Sequence, residues 1–83
     1  MDNNQFAKRC KEIVLEQLNN DPSNDEVITE DDIYIVWSCK TLQNNKALVS
    51  SKVSGSPYFE ITYNGDTEET YVDVYKKIAN ICL

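Results

Sequence analysis

Ile33-Tyr34-Ile35-Val36-Trp37-Ser38-Cys39 decides the fold, because its side chains repeat with period two. Ile33, Ile35, Trp37 and Cys39 fall on one side, with Tyr34, Val36 and Ser38 on the other. That is the pattern of a strand with both faces largely covered, and it assigns Trp37 to the core ahead of any stacking role. After a polar loop over residues 41–45, the alternation resumes from Lys46 to Val53. There Ala47, Val49, Ser51 and Val53 oppose Lys46, Leu48, Ser50 and Lys52. Ser54-Gly55-Ser56-Pro57 reads as a turn, Tyr58 to Tyr63 as a third strand, and Asn64-Gly65 as the strongest hairpin signal in the chain. A short fourth strand is expected over about Glu69 to Val72. Asp73 would then cap a final helix with Val74, Ile78, Ile81 and Cys82 on one face. The alternative for that segment is helix from Thr67 onward.

Upstream, the period is helical. Phe6, Ala7, Cys10, Ile13, Val14 and Leu18 form one apolar stripe over residues 3–19, and Pro22 disfavours helix at the residue before it. Residues 21–32 then hold six carboxylates and no base, a solvated connector in which Thr29 and Asp32 fit a short capping turn. The predicted order is α-β-β-β-(β)-α. Residues 1–83 thus read as a single two-layer α+β domain: an N-terminal helix (1–20), an acidic connector (21–32), and an antiparallel meander with a C-terminal helix (33–83). The second sheet face would carry Tyr34, Lys46, Leu48, Ser50, Lys52 and Tyr58, a mixture too apolar for water alone. Self-association as a dimer or tetramer is the expected way to cover it.

Composition narrows the function classes. A net charge of −6 on 83 residues argues against duplex nucleic acid as a partner. Double-stranded RNA-binding domains share the element order, but the region where they are basic is here Asp66-Thr67-Glu68-Glu69. There is no histidine, which removes the usual general base and the commonest zinc ligand. The carboxylates at 25–32 lack the spacing of a calcium loop, and the two glycines make no phosphate cradle. Cys10, Cys39 and Cys82 are expected as small apolar core groups. No enzyme activity, cofactor or metal is expected. Without a signal-like start or a long apolar run, the expectation is a cytoplasmic protein with no membrane partner.

One island opposes the overall charge. Residues 33–59 contain Lys40, Lys46 and Lys52 and no carboxylate. Lys40, Thr41, Gln43, Asn44, Asn45 and Lys46, with Trp37 and Tyr58, form a candidate ligand-binding set. The lysines would neutralise phosphate, an aromatic ring would stack a base, and the amides and hydroxyl would read polar edges. The plainer reading is a polar loop with solvated lysines.

The block Ile33-Tyr34-Ile35-Val36-Trp37-Ser38-Cys39-Lys40-Thr41-Leu42-Gln43-Asn44-Asn45-Lys46-Ala47-Leu48 resembles a family of short, functionally uncharacterised proteins from phages and prophages of Gram-positive bacteria. The resemblance extends through Tyr58-Phe59-Glu60-Ile61-Thr62-Tyr63-Asn64-Gly65-Asp66 and Tyr71-Val72-Asp73-Val74-Tyr75, over roughly residues 28–80. It implies a phage accessory protein in the bacterial host cytoplasm. A protein of this size without catalytic groups is expected to act by occupancy, sequestering a small nucleotide immune signal such as a cyclic dinucleotide. The alternative is an acidic inhibitor that docks Asp21–Asp32, Glu68 and Glu69 on a basic host protein.

Overall fold

The apolar stripe of the first segment forms helix α1, Asn3–Asn19. Asp2 caps it: the Gln5 backbone N–H donates to Asp2 Oδ1 at 2.7 Å, and the Asp2 N–H donates back to Gln5 Oε1 at 3.1 Å. The Asn20 N–H closes the far end on the Glu16 carbonyl at 3.0 Å. The computed structural model describes residues 1–21, 27–53 and 55–76.

A 3₁₀ turn, Glu30–Asp32, delivers the chain to the sheet, with the Thr29 N–H donating to Asp32 Oδ2 at 3.0 Å. Four antiparallel strands follow in spatial order β1-β2-β3-β4: Ile33–Thr41, Asn44–Ser51, Tyr58–Asn64 and Glu69–Tyr75. One helix and this meander make a small α+β domain, as the sequence periods predict. Phe6, Cys10, Ile13, Val14 and Leu18 of α1 are buried against Ile33, Ala47, Val49, Phe59 and Ile61 of the sheet, with Ile28 joining them. Each of the larger of these side chains (Val, Leu, Ile, Phe) contributes on the order of 2 kcal/mol when removed from water. Burial also pushes the Cys10 thiol up to about 12, so it stays protonated and unreactive in the fold.

Several boundaries differ from expectation. The polar loop contracts to Leu42–Gln43, because Thr41 pairs with Asn44 and carries both strands further. Leu42 takes a left-handed φ of 56°, unusual for a side chain with a Cβ, and is 88 % exposed. The fourth strand runs to Tyr75, so Asp73 and Val74 are strand residues rather than a helix cap and first turn. Helix from Thr67 is likewise excluded for residues 69–75. The expected helix positions Ile78, Ile81 and Cys82 lie outside the described residues, as do Asp25 and Glu26.

Trp37 is the main correction. The register of β1 on β2 shifts between Ile35, opposite Val49, and Trp37, opposite Leu48. Val36 is the extra residue of a bulge, and an extra residue inverts the alternation beyond it. Trp37 is therefore placed on the face away from α1 and is 43 % exposed. The same inversion turns Cys39, opposite Lys46, out of the core; it is exposed, unlike Cys10.

Two substitutions check this inversion by denaturant unfolding. Ile61→Ala removes a fully buried side chain and should cost about 2–5 kcal/mol. Trp37→Ala, despite the larger side chain, should cost less than half as much; equal losses would place Trp37 in the core after all.

Candidate functional site

Directly paired residues of an antiparallel ladder share a face. The strand pairings therefore sort the candidate residues. Lys46 lies opposite Cys39 and Thr62, on the open face away from α1. Trp37, Thr41, Asn44 and Tyr58 share that face by the same registers. Lys40 lies opposite Asn45, on the α1 side. The two lysines expected to grip one anion are thus separated by the sheet. Gln43 stands at the turn tip. Asn45 is 1 % exposed, and neither atom of its amide has a hydrogen-bond partner among the described residues. An amide in that position cannot touch a surface ligand, and it costs about 1–3 kcal/mol of desolvation where it sits.

Lys46 is also engaged: its Nζ lies 3.2 Å from a Glu60 carboxylate oxygen, with both side chains partly exposed. Such a pair contributes under about 1 kcal/mol to stability, but it offsets the lysine's charge. The amides of the loop serve the fold. Asn44 Oδ1 accepts the Gly65 N–H at 3.1 Å, and Asn64 Oδ1 accepts from Asp66 at 3.0 Å. The first bond ties the β1–β2 turn to the β3–β4 turn, and the second closes the β3–β4 turn on itself. A Cβ at Gly65 would collide with the Gln43 backbone, with the carbonyl carbon only 2.9 Å away.

One cleft lies at the other end of the sheet, around Ser50; another, of about 440 Å³, is lined by Leu42, Gln43, Asn44 and Asp66 at the turns. Ser50 is opposite Tyr34, and the pairing of Val49 with Phe59 puts Tyr58 next to Ser50 on the far side. Two tyrosines therefore flank a small side chain, two strand spacings or roughly 10 Å apart. Ser50 is buried, its Oγ donating to the Pro57 carbonyl at 3.1 Å. The resulting cleft holds about 480 Å³ and is lined by Tyr34, Ser50, Ser51, Ser56, Tyr58 and Lys76, with Asp21 also on its wall. Of the expected ligand-binding set, only Tyr58 lines it. Lys46 is four residues from Ser50 along β2, about 13 Å at the usual rise.

Beyond Tyr58 the face turns acidic. Trp37, Leu48, Glu60 and Asp73 follow one another across the four strands, so two carboxylates stand side by side. Tyr58 is paired with Tyr75, and Thr62 with Tyr71. The Tyr71 hydroxyl donates to Glu69 Oε2 at 2.9 Å, and that carboxylate holds its phenol above the ordinary range. Sequence reading missed Tyr34 as part of the site, and Glu60, Asp73, Tyr71 and Tyr75. Their period-two spacing on consecutive strands is visible in the chain, but only the register makes them neighbours. Among the described residues no cluster of three or more potential ligands could hold a metal ion. No helix of the described residues is long and apolar enough to cross a membrane.

Two outcomes test this placement. Asn45→Leu should raise stability by about 1–2 kcal/mol, since it removes an unpaired buried amide at similar volume; a loss would mean the amide is satisfied. Gly65→Ala should cost at least about 1 kcal/mol and broaden the backbone NMR signals of Gln43 and Asn44, because the two turns must part. An Ala variant as stable as the parent would rule out the close approach.

No curated protein and no solved structure matches the chain. A family model does, over residues 7–83, and by it the chain belongs to a family of unknown function, DUF6275.

Proposed function

We propose that this is a non-enzymatic binding protein that captures a small, planar-ringed anion of the nucleotide class between Tyr34 and Tyr58. The observation that carries the reading is the cleft over Ser50, flanked by two tyrosines and lined by Lys76. Its volume of about 480 Å³ lies within the range of small-molecule sites. A ring seated over Ser50 would meet aromatic surface on both sides, and each stacked base contributes about 1–3 kcal/mol. Lys76 would supply the cation for a phosphate, beside the Asp21 carboxylate on the same wall, and the Ser56 hydroxyl, which donates to the Pro57 carbonyl, would accept a hydrogen bond. In the setting implied by the phage resemblance, the ligand class is a host immune signal such as a cyclic dinucleotide, held by occupancy.

A second reading rests on a different observation. Glu60 and Asp73 are adjacent on the open face, with Leu48, Trp37 and tyrosines around them, and Lys46 offsets only part of their charge. That surface suits a partner protein offering Arg or Lys with aliphatic stems. It moves the acidic-inhibitor idea from the connector to the sheet.

Calorimetric titration with a panel of linear and cyclic nucleotides separates the two. Tyr34→Ala and Tyr58→Ala should each weaken capture by about tenfold or more, while Lys40→Ala and Glu60→Gln with Asp73→Asn leave it within about threefold. If the parent binds none of the panel, or the tyrosine variants bind as the parent does, nucleotide capture is wrong. If in addition a host protein retained by the parent is lost by the Glu60→Gln, Asp73→Asn variant, the second reading stands.

A further inference from the structure

The two outer strands of the sheet are built differently. β1 is interrupted by the register shift at Val36 and carries Lys40, features that blunt an edge against further pairing. β4 has neither. All seven of its residues, Glu69–Tyr75, pair with β3 in unbroken register, and the strand contains no bulge, proline or lysine. Its outer side has no strand partner among the described residues. Val74 is 51 % exposed on the α1 side, and Tyr71 and Tyr75 are exposed to a similar degree on the open face. A seven-residue edge unbroken by bulge or proline, with five β-branched or aromatic residues beside the carboxylates Glu69 and Asp73, is a template for another strand whose register those charges select.

We propose that β4 is a homodimer seam, at which two copies pair antiparallel about a two-fold axis through Val72. The occupant is argued from the strand's own charges. An axis normal to the sheet keeps every residue on its face, so only registers whose paired numbers have an even sum are allowed. Pairing centred on Tyr71 sets Glu69 against Asp73 of the second copy, twice. Pairing centred on Asp73 sets that carboxylate against itself. Like charges directly opposite destabilise a sheet. Centring on Val72 avoids both clashes: Glu69 faces Tyr75 of the second copy, Thr70 faces Val74, and Tyr71 faces Asp73. The exposed Val74 gains a neighbour, Tyr71 comes opposite a carboxylate, and the two sheets join into one of eight strands. This seam is independent of the nucleotide cleft and forms without ligand.

Sedimentation velocity on the full chain, without nucleotide, tests the seam. The parent should be a reversible dimer of the 9.5 kDa chain at micromolar concentration. Tyr71→Asp brings a new carboxylate opposite Asp73 of the second copy at two symmetry-related places, and should raise the dimer dissociation constant roughly tenfold. Tyr71→Lys should not weaken the dimer, since it creates two opposite-charge pairs. Asp73→Lys combined with Tyr71→Asp should restore it. Circular dichroism confirms the fold of each variant, and Tyr71→Lys carries the test if Tyr71→Asp fails to fold. A parent that stays monomeric at high micromolar concentration overturns the proposal. So does a dimer indifferent to Tyr71→Asp, one weakened equally by Tyr71→Lys, or one that the charge exchange does not rescue.

Discussion

A single α-helix is about 10 Å across, and strands are spaced nearly 5 Å apart, so one helix can cover only about two of the four strands here. α1 packs on β1 and β2. The rest of the molecule follows from that shortfall. Ala47 and Val49 of β2 are fully buried beneath the helix, whereas Val74 on β4 of the same face is half exposed. The opposite face has no covering layer among the described residues, and it is there that Tyr34, Trp37, Tyr58, Tyr71 and Tyr75 are found. A face of this kind, with aromatics interleaved with charge, is where both proposed binding surfaces lie.

The bulge at Val36 determines what that surface is made of. Without it, Trp37 and Cys39 would continue the inward row begun by Ile33 and Ile35, and the open face would lose its indole. With it, Trp37 stands beside Leu48 at the head of a row that ends in Glu60 and Asp73. The face is thereby divided. One end is a tyrosine-flanked cleft over Ser50 with a lysine on its wall, suited to a planar anion. The middle carries paired carboxylates, suited to a cation. Neither of the lysines Lys40 and Lys46 lines the cleft: Lys40 lies on the α1 side, and Lys46 is paired with Glu60 of the middle patch.

Much of the architecture was legible in the chain. The helical stripe from Phe6 to Leu18 and the period-two runs through β2 and β3 are strong signals, because one face of each is buried and the other is not. The site was far less legible. A one-residue register shift leaves no mark in the alternation of Ile33, Ile35 and Trp37, so the position of the indole could not be read. Lys40 and Lys46 are even-numbered and look like residues of one row, but the two-residue turn at Leu42–Gln43 sets Lys40 opposite Asn45 and places the lysines on different faces. Tyr34 and Tyr58 are 24 positions apart and become neighbours only through Ser50 between them. In the sequence Asn45 looks like a ligand-reading amide, because polar loop residues usually face water, yet the lengthened β2 carries it into the core.

The most direct measurement is a backbone amide NMR titration of the purified chain with cyclic dinucleotides. Shifts should concentrate at Tyr34, Ser50, Ser51, Tyr58 and Lys76 and saturate with ligand, while Lys40 and Asn45 stay in place. Shifts clustered along Lys40–Lys46, or none at millimolar nucleotide, would contradict it.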